Sequence, residues 1–399
     1  MPEKIRLFEM VASLAVDGPG GGIGRFGIDF CKTLSPEQWE VWLIALWDFG
    51  AESEKIGINA LNAQGINTLV AARWDEKKPY QSFWRAFLRI RKLCRTHFPQ
   101  IIHSHSEFGD ILALFLKFCS PSLRLTRTVH YGYQYEWRKR PLRRFLLTNF
   151  LYPIFFELEI GVAPWIAKNL TNRTLAAFLK KQALYIPNAI SIERFNSPPG
   201  SLEKKKASWS IPPGASVIGT VGRLTEQKGY QYLIKAAALV TQEIPESLFL
   251  VIGVGEELQA LQALAQELNV TSRVIFLGSR QDVEELLPCL DLFVSSSLWE
   301  GLPTVLLEAI AAGIPIVGTD IPGTKDLIQH RKTGYLVPAG KPDLLARGII
   351  EMLGNLPLRK KLAQASKEIL PLFSMLKIAH QYEQCYWEIL RKRPAVVPK

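Results

Sequence analysis

Two α/β domains in series are what this 399-residue sequence predicts. Three observations carry that expectation. Apolar runs of strand length alternate with helical stretches from end to end, the pattern of parallel sheets covered by helices. Residues 196–215 break the alternation with Pro198, Pro199, Gly200, lysines 204–206, Pro212, Pro213 and Gly214, a linker composition. Residues 292–320, LFVSSSLWEGLPTVLLEAIAAGIPIVGTD, read as strand, loop, helix and strand, one complete unit of such a sheet.

Each element follows from its residues. Before the linker, strands are expected at 5–11, 41–47, 68–71, 101–104, 125–130, 160–163 and 184–186. After it they are expected at 217–221, 248–252, 274–277, 292–295, 314–317 and 335–337. In the 292–320 unit, Pro303 fits the first helical turn, where its missing N–H costs nothing, and Gly313 fits the helix stop. The last helix, 373–391, carries Met375, Ile378, Ala379, Tyr382, Tyr386 and Ile389 on one face.

Composition narrows the class. Hydrophobic residues make up 48% and charged residues 21%, which leaves room for a sizeable core. The five cysteines include no CxxC pair, so neither a disulfide framework nor a zinc ribbon is expected, and a cytoplasmic location is. The start, MPEKIRLFEM, does not read as a signal peptide, and no apolar run reaches the ~20 residues that span a bilayer. Net charge is +11, of which residues 1–199 hold +9 and residues 200–399 hold +2. A basic first half suits a phosphate-bearing substrate or an anionic membrane surface. Nucleic acid is not expected, since no RNA-binding, zinc-finger or helix-turn-helix signature is present.

Several constellations carry chemistry. Glu300 and Glu308 flank the strand-to-helix loop, and both border the strand's C-terminal mouth, where open α/β sheets bind ligands. Between them the N–H groups of Gly301, Leu302, Pro303's neighbour Thr304 and Val305 open a helix, a seat for phosphate or hydroxyl. GRLTEQKG at 222–229 offers Arg223 as a planar fork and Lys228 as a mobile charge for one diphosphate. DGPGGGIGR at 17–25 is glycine-rich and precedes a helix, allowing close backbone approach. His130 ends a strand, and His103 and His105 lie two apart on the strand before it. Those two are spaced like a metal pair, but no neighbouring carboxylate cluster or DxD accompanies them, so no metal is expected. Basic and aromatic residues mingle in FWRAFLRIRKL at 83–93 and YEWRKRPLRR at 135–144, a composition suited to anionic lipid.

The 292–320 run resembles the donor-site signature of retaining GT-B glycosyltransferases of family 4, with Glu300, Gly301, Pro303, Glu308, Ala309, Gly313 and Pro315 in register. GRLTEQKG matches that family's GRLxxxKG, and IPNAISIERF at 186–195 resembles its IPNGVDxxRF. The resemblance implies two Rossmann-like domains with a cleft between them: an acceptor domain at 1–195, a linker at 196–215 and a donor domain at 216–372. The last helix would cross back to the first domain. It further implies a nucleotide-diphosphate sugar as donor, no cofactor, no metal, and a glycan, lipid-linked or small-molecule acceptor. By that likeness Glu300 holds sugar hydroxyls, Glu308 the ribose, and Arg223 with Lys228 the diphosphate. Gly21 and Gly22 face the donor and acceptor, His130 the donor sugar and His105 the acceptor side. The backbone of Gly301, Leu302, Pro303 and Thr304 borders the donor, and the FLGSR run ending in Arg280 reads the base. Two departures stand out: Ala189 where the family has Gly, and Pro164 where it has Ser. The alternative is a catalytically silent nucleotide-sugar-binding partner of another transferase. A dehydrogenase ranks third, for want of an ordered GxGxxG.

Overall fold

The structure, a computed structural model, describes residues 4–15, 21–50, 52–130, 141–195, 206, 209 and 211–391. Contacts divide the chain into two units, Met1–Asn188 with Met375–Lys399, and Ala189–Ser374.

The first unit is built on a parallel sheet of β1 (Ile5–Val11), β2 (Trp39–Asp48), β3 (Asn67–Arg73), β4 (Ile101–Ser104), β5 (Arg124–Val129), β6 (Leu158–Gly161) and β7 (Leu184–Tyr185). Its strand order is β3-β2-β1-β4-β5-β6-β7. Burial of both sheet faces explains why these strands read as near-continuous apolar runs rather than alternating ones. Helices Pro79–His97 and Glu107–Cys119 cover one face, where Phe83, Phe87, Ile90, Leu112 and Leu116 meet Phe8, Met10, Ile102 and Leu125. Helices Gly21–Thr33 and Met375–Arg391 pack together within this unit, with Phe26 and Phe30 against Tyr382 at ring distances of 6.0 and 5.3 Å. The terminal helix buries Met375, Ile378, Ala379, Tyr382, Tyr386 and Ile389, and its Glu383 accepts from Trp39 Nε1 at 2.7 Å. Full burial of such side chains stabilises by ~1.5–3 kcal/mol each.

The second unit repeats the plan with β8 (Ser216–Val221), β9 (Ser247–Ile252), β10 (Val274–Gly278), β11 (Leu292–Ser295), β12 (Ile316–Thr319) and β13 (Tyr335–Val337), ordered β10-β9-β8-β11-β12-β13. Helices Tyr230–Glu243 and Pro342–Gly354 bury Leu233, Ile234, Ala237, Ile349 and Met352 against Ile218, Phe249, Val251 and Val294. Residues 189–195 pack with this unit: Ile190 N–H donates to Phe373 O at 3.1 Å, and Arg194 pairs with Glu284 at 2.9 Å.

Both sheets reverse direction of growth once, between β1 and β4 and between β8 and β11. Connections leave the sheet on opposite sides there, so a crevice opens beyond the strands' C-terminal ends. Local differences from the sequence reading are small and explicable. β12 starts at Ile316, not 314, because the Ile314 N–H closes the preceding helix onto Ala309 O at 2.9 Å. Pro303 stands just before the helix Thr304–Ala311 rather than within it, with φ −73° and ψ 108°. Gly313 does end that helix, at φ +75°. At Ala189, where the family has Gly, φ is not positive and the side chain is buried, so alanine meets no left-handed strain there. Pro164 opens the helix Pro164–Thr171, a place that needs no N–H.

Candidate active site

In the second unit the crevice beyond β8 and β11 is lined by the two motif loops. After β8 the chain hooks across β9: Gly222 N–H donates to Ile252 O and Leu224 N–H to Val254 O, both at 2.9 Å. Leu224 is fully buried and pins the loop, while Arg223 beside it is exposed. A single turn, Glu226–Lys228, then ends at Gly229, whose φ is +60°. A Cβ there would lie 2.4 Å from Ser296 O, so both conformation and crowding demand glycine. Ser296 Oγ donates to Lys228 O at 2.8 Å and Leu298 N–H to Gln227 O at 2.8 Å, locking the two loops together.

The result is a held carboxylate. Glu300 is 8% exposed. Its Oε1 receives Lys228 Nζ at 2.6 Å and Ser297 Oγ at 2.8 Å, and its Oε2 receives Gln227 Nε2 at 3.2 Å. Lys228 and Glu300, read from the sequence as reaching for different parts of one ligand, are thus each other's partner in this state. The following Gly301 carbonyl is crowded by Gly323, where an added Cβ would come within 2.3 Å at φ +87°. Leu302 and Pro303 are buried, and Thr304 and Glu308 are half-buried on the helix that follows. Arg280 is tied to Asp282 at 2.8 and 2.5 Å and its guanidinium lies 6.0 Å from the Trp209 ring. No ion pair of Arg223 is found among the described residues.

In the first unit a second polar cluster lies at the other reversal point. Parallel register sets Glu9 of β1 beside His103 of β4. His105, two residues on, projects to the same face, and the two imidazoles stack at 4.5 Å and 8°. Glu9 Oε1 bonds His105 Nε2, and His105 Nδ1 lies 2.9 Å from His130 Nε2. His103 is held by Tyr386 and by Thr128, the latter at 2.8 Å, and Asn188 lies close enough to His130 to favour its charged form. Burial pushes the Glu9 carboxyl well up and the imidazoles down, His105 to about 3, so the histidines are uncharged at neutral pH. Gly21 (φ +46°) and Gly22 open the helix Gly21–Thr33, and Asp17–Gly20 of their loop fall outside the described residues.

Sequence reasoning missed Glu9, Ser297 and Gln227. The carboxylate absent near His103 and His105 in the chain is supplied from another strand. Ligand atoms of Glu9, His103 and His105 lie within 4.8 Å of one another, the spacing of a metal site. Yet each ring nitrogen of the two histidines already has a protein partner, and the rings stack rather than converge. Of the basic-aromatic stretches, 131–140 lies outside the described residues, and Arg143 and Arg144 are both paired to Glu107 at 2.5 and 2.9 Å. Among the described residues, no helix is long and apolar enough to cross a membrane.

Two parallel sheets, one in each unit, each with one order reversal and a polar cluster beside it, define a two-domain Rossmann-like protein of the GT-B type. Residues 201–369 match the model for glycosyl transferases group 1, and residues 20–194 that for glycosyltransferase family 4. The chain is 25% identical over 317 residues to the UDP-Gal:alpha-D-GlcNAc-diphosphoundecaprenol alpha-1,3-galactosyltransferase of Escherichia coli, covering 77% of this chain and 80% of that one. It is 33% identical over 187 residues to the N-acetyl-alpha-D-glucosaminyl L-malate synthase of Bacillus anthracis, covering 47% and 49%. Among solved structures it superposes on sucrose-phosphate synthase from Thermosynechococcus elongatus with a TM-score of 0.81 at 18% identity, over 97% of this chain and 99% of that one. Anabaena Alr3699/HepE in complex with UDP and glucose gives 0.78 at 18% identity, over 96% and 100%. The chain belongs to the family 4 glycosyltransferases.

Proposed function

We propose that this glycosyltransferase moves a sugar, with retention of anomeric configuration, from a nucleotide-diphosphate sugar to a glycan or lipid-linked acceptor. The observation that carries the reading is the Lys228–Glu300 pair in its cage of Ser297 and Gln227, beside exposed Arg223 and a helix N-terminus. A cation, a mobile ammonium and aligned N–H groups suit a departing diphosphate. When the donor arrives, Lys228 turns toward phosphate and Glu300 is freed to accept from sugar hydroxyls; Glu308 holds the ribose. Attack comes from the face the diphosphate leaves, and a leaving-group oxygen takes the acceptor's proton. By the family likeness His130 contacts the donor sugar.

These groups supply the charge stabilisation without a metal. Nucleoside diphosphate release should therefore continue after exhaustive chelation; a loss restored by manganese or magnesium contradicts this. A thermal-shift panel of nucleotide sugars tests the donor class, since a ligand at 100 times its dissociation constant stabilises by ~2.7 kcal/mol. Product anomers read by NMR test retention.

The first unit is further read as docking on anionic lipid at the inner face of the membrane. Trp84, Leu88, Phe115 and Phe118 are exposed, and Trp84 and Phe115 touch at 5.5 Å. Exposed Arg85, Arg89, Lys92 and Arg95 lie on the same helix as Trp84. Such apolar and basic surface favours the headgroup boundary.

A further inference from the structure

We propose that Glu9 and His105 are positioning residues for His130, forming a carboxyl–imidazole–imidazole line that fixes which nitrogen of His130 carries its proton. The proposal rests on the reading of His130 as the group that meets the reacting sugar.

The line is continuous and rigid. Glu9 Oε1 bonds His105 Nε2, and His105 Nδ1 faces His130 Nε2 at 2.9 Å. His105 is clamped by stacking on His103, and Phe26 sets its ring against His105 and His130 at 5.5 and 6.2 Å. All three members of the line are at least nine-tenths buried. Apolar residues would fill this space without the cost of removing polar groups from water, so packing alone does not account for the line.

Proton bookkeeping gives it a direction. Each hydrogen bond along the line holds one proton, and each neutral imidazole has one N–H and one bare nitrogen. The groups that face Glu9 are His103 from β4, His105 just beyond its end, Cys31 from the helix Gly21–Thr33, and Tyr382 and Tyr386 from the terminal helix. None is a fixed cation. A buried carboxylate in such surroundings costs more than the neutral acid, so Glu9 keeps its proton and donates to His105 Nε2. His105 then carries its proton on Nδ1 and donates to His130 Nε2. His130 is left with Nδ1–H, the donor that an arriving hydroxyl would meet. An ionised Glu9 would reverse every bond and turn that nitrogen into an acceptor.

The tautomers are read directly by long-range proton–nitrogen correlation on the full-length chain labelled at histidine nitrogen. Nδ1–H is expected on both His105 and His130. Glu9→Met, similar in size but without a donor, should release the tautomers and lower kcat for donor turnover roughly tenfold, the worth of one hydrogen bond, with KM for the donor little changed. Glu9→Gln, whose amide N–H replaces the acid proton, should restore both the tautomers and most of the lost turnover. Nε2–H on His130 in the unaltered protein overturns the proposal, and so does a Glu9→Met protein with unchanged tautomers and turnover. Should Glu9→Met not fold, the unaltered protein's tautomers decide. If instead the transferase reading is wrong, no form turns over a donor, while the nitrogen spectra still test the line.

Discussion

Lys228 and Arg223 stand five residues apart on one loop and differ in what they hold. Lys228 neutralises Glu300, a carboxylate only 8% exposed, whereas Arg223 is exposed. Lys228→Ala leaves that carboxylate without its cation, which should destabilise the protein by ~1–3 kcal/mol as well as slow turnover. Arg223→Ala should leave stability within ~0.5 kcal/mol, the usual range for an exposed side chain. Denaturant unfolding of the two variants separates them; equal stabilities would mean the Lys228–Glu300 pair contributes nothing to the fold. Both residues were legible in GRLTEQKG as cations for one ligand. Their different resting partners were not, because Glu300 is 72 residues away and the contact exists only once β8 and β11 are neighbours. Glu9 was hidden for the same reason: 96 residues separate it from His105.

At the scale of elements, the loop after β8 and the loop after β11 meet through Gly229 and Ser296. Gly229→Ala adds a methyl 2.4 Å from a backbone carbonyl at a left-handed φ, with no flexible side chain to yield. The two loops must separate, so donor affinity should fall along with a loss of ~1–3 kcal/mol in stability. Donor titration and melting of Gly229→Ala check this; unaltered affinity would show that the loops need not touch. Periodicity in the sequence located the strands well, since parallel strands buried on both faces form unbroken apolar runs, as in LFVS of β11. Boundaries slipped where backbone bonds outranked composition, as at Ile314, apolar enough for a strand yet used to close a helix.

For the molecule as a whole, the buried histidine cluster ties stability to pH. His103, His105 and His130 are held uncharged by burial, below the ordinary value of 6.5. On acidification the unfolded chain binds protons that the fold refuses. Their stabilisation is complete above pH 6.5 and is lost as pH falls, by up to ~1.4 kcal/mol per pH unit for each imidazole. Glu9 acts in the opposite sense, because its raised pKa makes the fold hold a proton that the unfolded chain gives up above 4.5. Within the cluster, three groups against one give a loss between pH 6.5 and 5, partly offset elsewhere by Asp110, pushed up to about 7, and by Glu54, also raised; denaturant unfolding at several pH values measures the balance, and stability that rises steadily on acidification across that window would contradict the burial of the cluster. The +9 of residues 1–199 belongs to this scale too. Binding to anionic vesicles should weaken steeply as salt rises, whereas no binding at low salt would leave the Trp84–Phe115 surface without a lipid role.

The central claim is that the loops holding Arg223, Lys228 and Glu300 bind a sugar nucleotide and stabilise its departing diphosphate. The most direct measurement is the release of nucleoside diphosphate from a turned-over donor by Arg223→Ala beside the unaltered protein, because Arg223 is exposed and its loss spares the fold. A charge-assisted hydrogen bond worth ~1.5–3 kcal/mol in the transition state corresponds to a roughly tenfold to hundredfold drop in kcat, and that drop, with an unchanged melting temperature, is the expected result. Full turnover by Arg223→Ala in a well-folded protein would contradict the assignment of the donor site.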